Sequence, residues 1–208
     1  VSTVYTARIC DPFGNLLAEV ANFVTAPRSG GAALDYALNV GKVGALRLTL
    51  PATFDTGLLP LDGRIGIWRS TGGRPPTLDG QAVFFIRTWD YTDTTTTVTA
   101  YSANYLLKGR IINYYAGTSF SAKTAGTAAG NLIKAFATQQ LGSGISTPDR
   151  IGAETQADLS ALLSIQANLG DGASLSAQVA WRNLFDVIRE LSDSSTFAGT
   201  YLAADVVA

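Results

Sequence analysis

Gln81-Ala-Val-Phe-Phe-Ile-Arg-Thr-Trp89 is the stretch on which the reading of the fold turns. Val83-Phe84-Phe85-Ile86 is a continuous apolar and aromatic run, the pattern of a strand covered on both faces. Strands flank it on both sides. Thr95 to Tyr101 is Thr-rich and follows a turn at Asp90 to Thr94, and Arg64-Ile-Gly-Ile-Trp-Arg69 precedes it across the loop Gly72-Gly73-Arg74-Pro75-Pro76. Further out, Leu46, Leu48 and Leu50 alternate with Arg47 and Thr49. Leu34, Tyr36, Leu38 and Val40 alternate with polar or small residues, and Gly41 to Gly44 turns one segment into the other. Val4 to Cys10 and Leu16 to Val24 form a first hairpin about Asp11-Pro12-Phe13-Gly14-Asn15. About seven strands in roughly 100 residues predict an antiparallel sandwich or barrel.

The second half changes period. Tyr105-Leu106-Leu107 is a short apolar turn stopped by Lys108-Gly109, and Arg110 to Tyr115 restarts the chain as a strand. Ala129, Leu132, Ile133, Phe136 and Ala137 share a helical face, so Ala125 to Gln140 reads as a helix ended by Gly142-Ser-Gly144. Ser146 to Asp158 is a polar loop, and Leu162 to Leu169 a strand closed by Gly170-Asp171-Gly172. Trp181, Leu184, Phe185, Ile188 and Leu191 follow helical spacing, with Arg182 and Asp186 as an i, i+4 pair. They predict an amphipathic helix over Ala177 to Ser192 with Trp181 as a core anchor. Thr200 to Val207 reads as a final strand. The fold class is α+β: mostly antiparallel β with about two packed amphipathic helices, divided into 1–104, β-rich, and 105–208, α+β.

The chain of 208 residues is 47% hydrophobic and only 15% charged, with net charge −1. The charged fraction is well below the usual roughly 25%, which fits a neutral exterior or one covered by a partner. No Lys/Arg block marks a nucleic-acid footprint. No apolar run reaches the roughly 20 residues of a membrane span, so no stable membrane insertion is expected. Histidine is absent and Cys10 is the one cysteine, which removes the commonest general base, a structural zinc site and an internal disulfide.

The remaining chemistry is sparse. Asp90 and Asp93 flank a turn without calcium-loop spacing. Asp149, Glu154 and Asp158 offer a glycosidase-type acid pair only if a cleft separates them, and they read as a solvated loop. Gly142-Ser143-Gly144 and Gly170-Asp171-Gly172 lack the Lys and the setting of a phosphate loop, and are turns. Trp68, Trp89, Tyr91 and Tyr101 suggest either a stacking platform or packing, with Trp89 assigned to the core. No catalytic, cofactor-binding or metal residue is assigned, and no enzyme activity is expected.

Four segments carry a resemblance. They are Arg64 to Arg69 behind Leu58-Leu59-Pro60-Leu61; Val83 to Ile86 with Trp89; Tyr105-Leu106-Leu107 with Arg110-Ile111-Ile112 and Tyr115-Ala116-Gly117; and Ala180 to Phe185 with Ile188 and Leu191, then Gly199 to Leu202 and Asp205-Val206-Val207. In order and spacing the chain resembles the siphovirus tail hub, or baseplate (minor tail), proteins. The resemblance implies a tail-tube-like fold and a structural role in the virion, in a homotrimeric ring around the tail channel at the tail tip. Distal tail protein, tape measure protein and tip or fibre proteins are the implied neighbours, and DNA passes through the lumen without specific binding. Members usually continue beyond the strand that ends this chain. Within this reading Leu107, Arg110, Ile111, Tyr115, Trp181 and Phe185 are structural or interface residues.

Two other functions compete: a carbohydrate-binding host-attachment module resting on Trp68 and Trp89, and a wall hydrolase using Asp149, Glu154 or Asp158. A distal tail or tube ring is the nearest structural alternative. On the hub reading, Leu107→Asp or Ile111→Asp is expected to prevent folding or ring assembly, measured as loss of soluble oligomer in gel filtration.

Overall fold

The computed structural model describes residues 2–21, 23, 31–38, 41–112, 122–142 and 164–204, with backbone alone at 122–126. They fall into two compact units that divide between Tyr105 and Leu106.

The first unit is one curled, antiparallel, seven-stranded sheet. Its strands are β1 (Thr3–Cys10), β2 (Leu16–Ala21), β3 (Ala33–Ala37), β4 (Ala45–Pro51), β5 (Arg64–Thr71), β6 (Thr77–Tyr91) and β7 (Thr95–Ser102). The spatial order is β2-β1-β5-β6-β7-β4-β3. Alternation sends Ala7, Ile9, Ile65, Ile67, Phe84, Ile86, Val98, Leu46, Leu48 and Leu50 to one face, where all are buried.

That face is buried on itself. In a flat sheet β3 stands about 14 Å from β6 and about 24 Å from β1, at 4.7–4.9 Å per strand. Yet the Tyr36 ring of β3 meets Phe84 of β6 edge-on at 6.0 Å and Tyr5 of β1 at 6.4 Å. The sheet therefore curls until its third-strand edge lies over the opposite strands. A polar latch accompanies the contact: the Tyr36 hydroxyl donates to the Asp79 carboxylate, and Arg69 Nε lies 3.2 Å from the same carboxylate. Gly80, with φ +61, lies in an irregular stretch of β6 that brings Asp79 there. Between Gly66↔Val83 and Trp68↔Leu78, one β5 residue faces four on β6.

The Val83–Ile86 run is not covered equally on both faces. Phe84 and Ile86 are buried, whereas Val83 and Phe85 lie half-buried on the outer face, where the Arg64 guanidinium sits 5.8 Å from the Phe85 ring. Trp89 is corrected from core to surface, at 39% exposure. The register slips between Ile86 and Thr88, and Trp89 faces Val98 near the end of the sheet.

The second unit holds a two-stranded antiparallel ribbon, β8 (Ala122–Ala128) with β9 (Ser174–Val179), and two helices packed together, α2 (Ala129–Leu141) and α3 (Leu184–Phe197). A short α1 (Asn104–Lys108) spans the division. The predicted face of α2 is buried, but the helix starts four residues later than expected, because Ala125–Ala128 belong to β8. Its unpaired first amides are met by backbone: Ala129 N donates to Ala173 O and Gly130 N to Asp171 O, both at 2.9 Å.

Gly172 (φ +88) makes this approach possible. A Cβ there lies 2.9 Å from Ser195 Oγ and 3.1 Å from Ala129 Cβ. The buried Ser195 hydroxyl accepts from Ala173 N and donates to Thr200 O, each at 2.8 Å.

Four further expectations change. Ala177–Val179 are strand, and α3 begins only after Asn183, whose Oδ1 accepts from Phe185 N at 3.0 Å. Residues 164–169 and 200–204 take no strand, and the rest of those two segments lies outside the described residues. Arg182 precedes α3 and pairs with Glu190 rather than with Asp186.

Tyr36→Phe is expected to lower stability by about 1–2 kcal/mol at neutral pH, read from the urea midpoint. Burial, then the bond to Asp79, raise the Tyr36 hydroxyl well above the usual phenol range near 10. The native state thus keeps a proton that the unfolded chain releases. The contribution is complete below about pH 10 and falls as pH rises above it, so wild type should show an alkaline slope that the variant lacks.

Candidate functional site

Five of the six residues assigned to an interface fall in one junction of the second unit, and Tyr115 lies outside the described residues. Backbone bonds build it. Ile111 forms a bridge with Asn183. Trp181 N donates to Ile112 O and Ile112 N to Arg182 O, both at 2.8 Å, and Leu184 N donates to Arg110 O at 2.9 Å. Asn183 fastens both segments: its Oδ1 caps α3 while its Nδ2 donates to Lys108 O at 2.6 Å. Leu107, Ile112, Leu184 and Phe185 are buried.

Ile111 points outward at 42% exposure, so the apolar run of this segment divides between core and surface. It contributes a single bridge rather than the predicted strand over its described part. Burial lowers the pKa of the Arg110 guanidinium.

Trp181 is the main correction. It is no core anchor: it stands before α3, 60% exposed, with φ +56. A bulky residue in the left-handed region carries a cost of roughly 1–2 kcal/mol. The backbone bond to Ile112 holds it there, with the side chain largely exposed. The helical spacing from Trp181 to Leu184 and Phe185 is real in sequence but crosses the cap. Asn183-Leu-Phe-Asp186 is the signal that marks the true start.

The outer face of the first unit's sheet interleaves arginine and aromatic side chains. Arg8 lies 4.3 Å from the Trp68 ring and is paired with Glu19 at 2.9 Å. Arg87 lies 4.8 Å from the Tyr105 ring, which stacks on Tyr101 at 4.9 Å. Trp68 spreads beside Gly66, whose Cβ position is 3.3 Å from Trp68 Nε1. The Arg8 guanidinium covers one face of the Trp68 ring.

Other chemistry is limited. Among the described residues no three His, Cys, Asp or Glu side chains gather to hold a metal. Asp90 and Asp93 are exposed beside the β6–β7 turn. Asp149, Glu154 and Asp158 lie outside the described residues. A cavity of about 420 Å³ beside α2 is lined by Lys134, Thr138 and Gln139 with Ile165 to Asn168. The Lys134 amine donates to Ala167 O at 2.7 Å. The Cys10 thiol is raised by burial and then by Asp11, which disfavours the thiolate.

Trp181→Gly is expected to change stability by no more than about 1 kcal/mol, because relief of left-handed strain offsets lost contacts. A buried tryptophan would cost about 3–5 kcal/mol on truncation, and thermal melts separate the two outcomes. No protein-family model matches the chain, and comparison with the curated proteins gives no match.

Proposed function

We propose that the chain is a structural subunit of a bacteriophage tail tip, a baseplate hub protein that assembles as a homotrimeric ring around the tail channel. The observation that carries this reading is the pair of sheet edges. In the order β2-β1-β5-β6-β7-β4-β3, strands β2 and β3 each have one neighbour among the described residues. Free edges invite pairing, and neighbouring copies that add a strand at each edge satisfy both at once.

A curled antiparallel sheet with a filled interior suits the tube-like wall that such a ring needs. The low charge of 15% suits a surface covered by neighbours, and the lack of a basic run suits a lumen through which DNA slides without being held. On this reading the partners are the distal tail protein, the tape measure protein and tip or fibre proteins. The exposed Trp181 and Ile111 fit subunit contacts better than reaction chemistry, since aromatic anchors are typical of interfaces.

Native mass spectrometry of the purified chain should give a trimer, and antibody-gold labelling of tails should mark the tip. A hexamer mass would assign the chain to a distal tail or tube ring instead. A chain that stays monomeric and is absent from the tip contradicts the proposal.

A further inference from the structure

Along α2 the apolar stripe Leu132, Ile133, Phe136 and Ala137 is buried, which leaves Lys134, Thr138 and Gln139 outside it. These three form one wall of the cavity of about 420 Å³, and Gln166, Ala167 and Asn168 form the other. Hydrogen bonds fix the second wall against the helix. The Lys134 amine donates to Ala167 O at 2.7 Å, Gly170 N donates to Asn131 Oδ1 at 3.3 Å, and Gly130 N donates to Asp171 O at 2.9 Å. Every described residue of the cavity belongs to the second unit.

Among the described residues lining this space, Lys134 alone is charged, and no described carboxylate pairs with it. An ammonium carries three donors, and the bond to Ala167 O uses one of them, so two remain. Thr138 Oγ1 donates to Lys134 O at 2.9 Å, which leaves that hydroxyl as an acceptor. Gln166 and Asn168 are exposed, and each brings a carboxamide that both donates and accepts.

A ligand matched to this set is small, carries one carboxylate and is otherwise rich in hydroxyls. The carboxylate accepts the spare N–H groups in a charge-assisted pair, and ring hydroxyls, like carboxamides, both donate and accept. The volume lies toward the lower end of the about 300–1,000 Å³ usual for small-molecule sites, which suits a sugar rather than a protein segment. No described lining residue is aromatic, which disfavours a nucleobase. We infer that the cavity beside α2 binds an acidic sugar of the uronic-acid class, its carboxylate on Lys134 and its hydroxyls on Thr138, Gln166 and Asn168. The inference rests on the second unit alone and stands apart from the ring proposal.

Calorimetry on the full chain with glucuronate, glucose and acetate tests it. Glucuronate should bind, more weakly as salt is added, and glucose and acetate should each bind at least about tenfold more weakly. Lys134→Gln should lower glucuronate affinity about tenfold or more, and the double variant Gln166→Ala, Asn168→Ala should lower it by a similar factor. Arg74→Gln, in the first unit, should leave it unchanged. Lys134→Glu should reject glucuronate and take up glucosamine, a reversal that loss of folding cannot produce. Equal binding of acetate and glucuronate overturns the inference in favour of a simple anion site. Equal binding of glucose, binding of none of the three, or indifference to the Lys134 variants overturns it outright.

Discussion

In the first unit the apolar face of a single sheet is buried on the sheet itself, and Phe84 stands at the centre of that contact. The hydrophobic gain of covering such a face is of the order of 1.5–3 kcal/mol for each large side chain, so the sheet is driven to curl. The curl is completed by side chains rather than by backbone pairing. Tyr36 packs on Phe84 and Tyr5, and its hydroxyl reaches Asp79, which Arg69 balances. A polar group placed between apolar strands costs stability unless it is satisfied, and here each member of the latch has a partner. Among the described residues, β2 and β3 remain the two edges of this sheet.

The second unit depends on a close approach at Gly172. Its missing side chain lets Ser195, Ala129 and Leu202 converge, and the adjoining carbonyls satisfy the first amides of α2, which has no side-chain cap of its own. Asn183 does comparable work for α3 while binding the backbone at Lys108. Trp181, two residues earlier, has a strained backbone (φ +56) and an exposed position.

Much of the first unit was legible in sequence, because alternation in β1, β4 and β7 reports a local property, the side of the sheet each residue takes. The continuous run at Val83 misled only as to its second face. Arginine guanidiniums lie over Phe85 and Trp68 on the outer face, so these aromatic residues tolerate a solvent-facing side. In the second unit the boundaries of α2 and α3 moved because Ala-rich and Trp-containing segments satisfy a helical period without being helical. Pairing of β8 with β9 outweighs the intrinsic preference of Ala125–Ala128 and Ala177–Val179. The candidate junction was legible as a set of apolar residues near Leu107 and Trp181, but not as a pairing of two segments far apart in the chain.

Residue type and short-range period were enough to specify the mostly antiparallel α+β fold class, the faces of the strands, the apolar stripes of α2 and α3, and the absence of histidine chemistry. Long-range packing set the curl of the sheet through Tyr36 and the solvent exposure of Trp89 and Trp181. Those outcomes depend on which distant segments meet, and no local period encodes a meeting between residues dozens of positions apart.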